Sequence, residues 1–273
     1  MTPSEDDLVR VDVNPIDDQK GSVAVLTLNR PEQLNAITWD MVAAFDAAVS
    51  EAMATDGVRA ILVTGAGRAF SAGGDLKAYR ILQRDAERFP AFVAALHAAF
   101  SRLRTLPVPV VALINGVTAA GGLELALSCD LAMIARSARI GDCHLNFGQM
   151  GGGGVLTLLP RFVGIARATE LVVSGRLLTA DEALEWGLVS RVCADDELLP
   201  QALELVGQVA AKSPLAVANA KYVMASIWSE AASVDAGLRL ERERNAVYCL
   251  TSEDAPEGLA AFEEKRPPRF VGR

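Results

Sequence analysis

The sequence predicts an α/β fold built on parallel strands, and three observations carry that prediction. Short apolar runs of strand length alternate with amphipathic tracts, the connections between them are short, and glycine-rich segments follow the apolar runs where strands would end. Parallel βαβ units are the economical topology for this alternation, and their active sites lie beyond the carboxyl ends of the strands.

In order, Val23–Asn29 reads as a first strand ending at Arg30-Pro31, and Thr38 caps a helix running to about Met53. Arg59–Thr64 is a second strand, followed by the glycine-rich loop Gly65–Asp75 and a helix over 88–104. Val110–Ile114 is the third strand. It meets the turn signal Asn115-Gly116, and the pair Gly121-Gly122 then opens a helix rich in Leu and Ala. Asp130–Ala135 is a fourth strand, and Val155–Val173 is helical with a break near Pro160. Thr179-Ala-Asp-Glu182 has the form of a capping box, with Gly187 as the stop, and Leu188–Cys193 reads as a last short strand. Beyond residue 196 the chain reads as helices only: 197–211, one opened by Ser213-Pro214, one from about Ser229 to Leu250, and a last one capped by Thr251 or Ser252. The expected division is a core over 1–195 and a helical region over 196–273.

The 273 residues allow a large core, and 51% hydrophobic with only 5% aromatic content predicts an interior of Ala, Val and Leu. A net charge of −8 argues against a nucleic-acid footprint, which needs a clustered basic face. No run of about 18 apolar residues occurs, and the start Met1-Thr-Pro-Ser-Glu-Asp-Asp is acidic where a signal peptide is basic. The expectation is a cytoplasmic protein that does not engage membranes. The four cysteines are irregularly spaced without a Cys-x-x-Cys, so no metal site or redox cofactor is expected.

Candidate chemistry gathers at the glycine-rich strand exits. Gly121 and Gly122 begin a helix, where unpaired N–H groups and the positive dipole end can hold an oxyanion. Glu124 lies in the first turn, either as a general acid or base beside that site or as a simple complement to the dipole. The loop Gly65–Asp75 fails the dinucleotide fingerprint, since Phe70 stands where the third glycine belongs, and Ser71 is not in Gly-x-Ser-x-Gly. Its segment Ala72-Gly73-Gly74 offers a second set of exposed amides. His97, between Ala94-Ala95 and Ala98-Ala99, reads as structural.

Taken together, Leu28-Asn-Arg-Pro-Glu-Gln-Leu-Asn35, Leu62 through Lys77, Asn115-Gly-Val through Ala126, Cys129-Asp130, Leu159-Pro-Arg-Phe-Val-Gly164, Ala180–Val189 and Ala261–Pro268 resemble the enoyl-CoA hydratase/isomerase family, the crotonase superfamily. The resemblance implies a crotonase-like spiral of ββα units, a C-terminal helical trimerisation region, and a homotrimer or dimer of trimers. It implies an acyl-CoA substrate, with CoA entering as part of that substrate. The two oxyanion-hole amides fall on Ala72 and Gly121, and the first catalytic glutamate on Glu124. The CoA contacts fall on Gln33, Leu34, Ala36, Ala72, Gly73, Gly74, Asp75, Leu76, Lys77 and Gly122, with Lys265 reaching the CoA of a neighbouring subunit. Gln33 stands where many relatives carry lysine, and Lys77 is either a phosphate contact or a solvated lysine.

The second glutamate of the hydratases is absent, and counting back from Gly148 puts His144 in its place. If that segment is extended, Asp142, His144 and Asn146 point to one side. His144 is then either an acid/base paired with Asp142 or a satisfied pocket histidine. Three functions are compatible with these residues: hydration of a 2-enoyl-CoA; isomerisation, decarboxylation, or thioester or C–C hydrolysis using Glu124 with His144 and Asp142; or binding of acyl-CoA without catalysis.

Overall fold

The computed structural model describes residues 7–16, 21–229 and 233–273. Five parallel strands dominate a six-stranded sheet, and a second sheet of four short strands stands beside it. The large sheet has the order β1 (Val9–Pro15), β2 (Ser22–Leu28), β3 (Val58–Gly65), β5 (Val110–Ile114), β7 (Leu131–Ala135), β10 (Arg191–Cys193), with β1 antiparallel to β2. The small sheet has the order β4 (Ala69–Ser71), β6 (Val117–Ala119), β8 (Arg139–Gly141), β9 (Leu178–Thr179), in which β4, β6 and β8 run parallel.

The chain passes from the large sheet to the small one and then into a helix three times: β3, β4 and α2 (Leu76–Leu82); β5, β6 and α4 (Gly121–Ser128); β7, β8 and α5 (Val155–Val163). Each turn advances one strand in both sheets, which makes a spiral of ββα units. The strands β4, β6 and β8 are three residues each and carry no period of their own, so the sequence presents them as loop.

The longer elements form where the apolar pattern places them. Thr38 caps α1 (Trp39–Ala54), its Oγ1 accepting from Met41 N at 3.2 Å. Residues Met41, Val42, Phe45, Ala48, Val49 and Ala52 make its buried stripe. Phe45 meets Phe100 of α3 (Arg88–Arg102) edge to face at 6.1 Å. Truncating so buried a ring to alanine costs about 3–5 kcal/mol. The expected capping box opens α7 (Ala180–Glu185), with Glu182 N donating to Thr179 Oγ1 and Thr179 N to Glu182 Oε2. The break expected near Pro160 lies at Gly164, whose φ of +79° turns the chain between α5 and α6 (Ile165–Ser174).

Four helices follow: α8 (Leu198–Ala210), α9 (Pro214–Ser229), α10 (Val234–Thr251) and α11 (Asp254–Glu263). The start expected for α10 near Ser229 falls partly on residues 230–232, outside the described residues. Leu198, Ala202 and Val206 of α8 join the core, and α8 lies against β3, β5 and β7. One buried ion pair ties α9 in: Lys221 Nζ lies 2.7 Å from Asp130 Oδ2 and donates to the carbonyls of Leu103 and Val108 at 2.9 and 2.8 Å. Asp130 Oδ2 also accepts from Val110 N at 2.7 Å. Among the described residues no helix is long and apolar enough to cross a membrane.

Candidate active site

Because β4, β6 and β8 lie side by side in parallel, their carboxyl ends open at one edge of the small sheet and release three segments together: Ala72–Gly74, Ala120–Gly121 and Asp142–His144. A cavity of about 570 Å³ lies over these exits. Ala72, Gly74, Ala120, Gly121 and His144 line it, with Ile37, Tyr79 and Leu96 supplying apolar wall.

Two backbone donors face this space. Gly121 is the first residue of α4, and its N–H has no acceptor among the described residues. Ala120 before it holds φ +49° and ψ −115°, a conformation costly for a residue with a Cβ. The second free donor is Gly74. Residues 72–75 run beside Leu34–Ile37 in a strand-like pairing: Ala72 N donates to Leu34 O, Ile37 N to Gly73 O and Asp75 N to Ile37 O, all at 2.8–2.9 Å. Gly73 N donates to Ser71 Oγ, which leaves the Gly74 N–H unmatched. A Cβ on Gly121 would stand 3.7 Å from Gly74 N, so the two amides are neighbours. Gly73 has φ +93°, and a Cβ there would come 2.8 Å from that of Ala120, so only glycine lets the two strand exits touch.

Glu124, 1% exposed, sits one turn into α4. Its Oε1 accepts from Gly153 N at 2.8 Å and Val155 N at 3.3 Å, both from the glycine run that crosses the site. Burial pushes its carboxyl above the ordinary range; the charge of His144 and those two N–H groups oppose the rise, and Asp142 adds to it. A Cβ on Gly151 would lie 3.0 Å from Glu124 Oε1 and 3.4 Å from His144 Cε1, which places carboxylate and imidazole around one point.

His144 begins a 3₁₀ turn, His144–Phe147, and is not extended as expected. It still pairs with Asp142: Nδ1–H donates to Asp142 Oδ1 at 2.5 Å. Asn146 does not share their side, since its Nδ2 donates to Gly175 O at 2.8 Å. Burial pulls the His144 pKa down, but the Asp142 hydrogen bond and the charges of Glu124 and Asp142 outweigh it, and the imidazolium is favoured. Asp142 is 0% exposed, and its Oδ2 has no hydrogen-bond partner among the described residues. A buried carboxyl beside an imidazole whose protonated form is favoured, together with two unmatched amides, can stabilise an enolate and move protons at the carbons beside it.

The family model for enoyl-CoA hydratase/isomerase matches residues 18–273. The chain belongs to the enoyl-CoA hydratase/isomerase family. It is 34% identical to a short-chain-enoyl-CoA hydratase of Clostridium acetobutylicum, over 93% of this chain and 95% of that protein. The crystal structure of an enoyl-CoA hydratase from Bacillus anthracis matches it with a TM-score of 0.89 and 32% identity, covering 97% of this chain and all of that one. An enoyl-CoA hydratase structure from Polaromonas matches with a TM-score of 0.88 and 30% identity, covering 96% and 99%. The protein is accordingly an enzyme of enoyl-CoA hydratase type with the crotonase fold.

Within this member of the enoyl-CoA hydratase/isomerase family, the structure corrects one expected donor. Ala72 lines the cavity, but its N–H is engaged by Leu34, and Gly74 takes its place opposite Gly121. Gln33, Ala36, Asp75, Leu76 and Lys77 lie along the cavity with Gly74. Leu34, Gly73 and Gly122 do not line it: Leu34 supplies a carbonyl to Ala72, Gly73 supports the turn, and a Cβ on Gly122 would strike Ser71. Lys265 is exposed at the end of α11, away from the cavity of its own chain. His97 is exposed, its Nε2 3.3 Å from Ser101 Oγ. The sequence reading missed Tyr79 and the Gly153 and Val155 donors. Amide direction and contacts between distant segments leave no mark on the local pattern.

Proposed function

We propose that the protein adds water reversibly to a 2-enoyl-CoA. The observation that carries this is that the free Gly74 and Gly121 amides and His144 border one cavity, while the Glu124 carboxylate lies buried just behind its wall, around the same point as the His144 ring. The two N–H groups hold the thioester oxygen and stabilise the enolate. Glu124 takes a proton from water as its oxygen bonds to the β-carbon. His144, protonated and held by Asp142, gives a proton to the α-carbon, and the proton on Glu124 then passes to His144 to restore the site. Gln33, Ala36, Asp75, Leu76 and Lys77 border the CoA, and no charge is needed from position 33 when Lys77 stands on the same rim. The copies associate as trimers through α9–α11, where Leu238, Leu250, Leu259 and Phe262 are 59–85% exposed, and Lys265 of one copy then reaches the CoA of another.

The assay is loss of the conjugated enoyl-thioester absorbance with crotonyl-CoA. Turnover supports hydration. The Asp142–His144 pair favours a second reading, in which the same oxyanion hole serves isomerisation or hydrolysis of an acyl-CoA. Tight binding of crotonyl-CoA without hydration would favour it, and absence of binding would overturn both.

A further inference from the structure

The phenol of Tyr79 takes no part in the proton transfers above. Tyr79 stands one turn into α2, its N–H donating to Asp75 O at 2.8 Å, so it is tied to the loop that carries Gly74. The ring is fixed edge to face against Phe92 at 5.4 Å and Phe89 at 5.9 Å. It also lies over the Gly74 backbone: a Cβ there would come 2.8 Å from Cε2 and 3.2 Å from Cζ. Cδ2 is equally near at 3.2 Å, so it is the Cδ2–Cε2–Cζ edge of the ring that lies over the residue carrying one of the two free amides. Tyr79 lines the cavity, and its Oη has no hydrogen-bond partner among the described residues. Burial, together with the nearby Glu124 charge, pushes the phenol pKa up to about 12, so the group remains an O–H donor throughout the neutral range.

A rigid donor in an apolar cavity that finds no acceptor in its own chain is matched to an acceptor on the ligand. The thioester oxygen at Gly74 and Gly121 and the carboxylate of Glu124 bracket the α- and β-carbons of an acyl group. Tyr79 touches the first of these and feels the charge of the second. We propose that the Tyr79 hydroxyl donates to an oxygen on the β-carbon, so that the site selects 3-hydroxyacyl-CoA esters over the corresponding saturated esters. This rests on the acyl-CoA reading above.

Isothermal titration with 3-hydroxybutyryl-CoA and with butyryl-CoA tests it on the full chain carrying Glu124→Gln, which does not dehydrate the hydroxy ester while it is titrated. This protein is expected to bind the hydroxy ester about five- to tenfold more tightly, as one unshared hydrogen bond allows. Adding Tyr79→Phe keeps the ring and its packing, and is expected to remove most of that preference. Equal affinity for the two esters, or a preference unchanged by Tyr79→Phe, would overturn the assignment and leave the acyl-CoA reading standing. Failure to bind either ester would overturn both. Equal affinity overturns the assignment even if the Tyr79 variant does not fold.

Discussion

Among the described residues, the buried ionisable groups at the root of α9 and those at the cavity are finished differently. At the root of α9, Lys221 meets Asp130 and two carbonyls, and Asp130 also receives the Val110 amide. At the cavity the Gly74 and Gly121 amides and the Tyr79 hydroxyl, and behind His144 the Asp142 Oδ2, have no partner among the described residues, and Ala120 holds an unfavourable backbone. The first cluster is closed, and its charges serve to join a helix to the sheet. The second is left open, and polar groups left open in an interior cost stability unless something binds them. The difference separates a clamp from a site, although burial raises the carboxyls of both Asp130 and Glu124.

The sharpest way to break this contrast is Glu124→Gln. It is expected to lower kcat by about 10²–10⁴-fold, the usual contribution of a positioned acid or base, without lowering the melting temperature, because it removes a buried charge. A loss under tenfold would place Glu124 with the clamp. Lys221→Met should do the reverse. Removing one partner of a buried pair costs about 3–5 kcal/mol, read from urea unfolding, while kcat per folded molecule stays near wild type. A fall in kcat with unchanged stability would show that the two clusters are not separate.

Asp142→Asn is expected to reduce kcat by about 10–10²-fold, since it unsettles His144 without removing it. It also sharpens the contrast through pH. In wild type, kcat/KM should be bell-shaped. The acid limb falls as Glu124 protonates, above the ordinary carboxylate range because its pKa is raised. The alkaline limb falls as the imidazolium is lost, above the ordinary histidine value because its pKa is raised too. With Asn at 142 the largest support for the imidazolium is gone and only the Glu124 charge remains, so the alkaline limb should move to lower pH. An unmoved limb would mean that His144 does not supply the titrating proton.

Much of this was legible in the residues themselves. The apolar runs of β2, β3, β5 and β7, the Thr38 cap, the Thr179–Glu182 capping box and the place of Glu124 in the first turn of a glycine-opened helix all follow from local chemistry acting over a few residues. The motifs gave the family, and with it the spiral. Tertiary structure decided the rest. The small sheet exists only because three segments of three residues meet across the spiral, and Gly74 rather than Ala72 is the free amide only because Leu34 engages the other. His144 reaches Asp142 from a 3₁₀ turn where an extended strand was expected, and Tyr79 gains its place from the fold of α2 over Gly74. Periodicity records which face of an element is buried, but the direction of a single N–H, and whether anything accepts it, depends on segments tens of residues away.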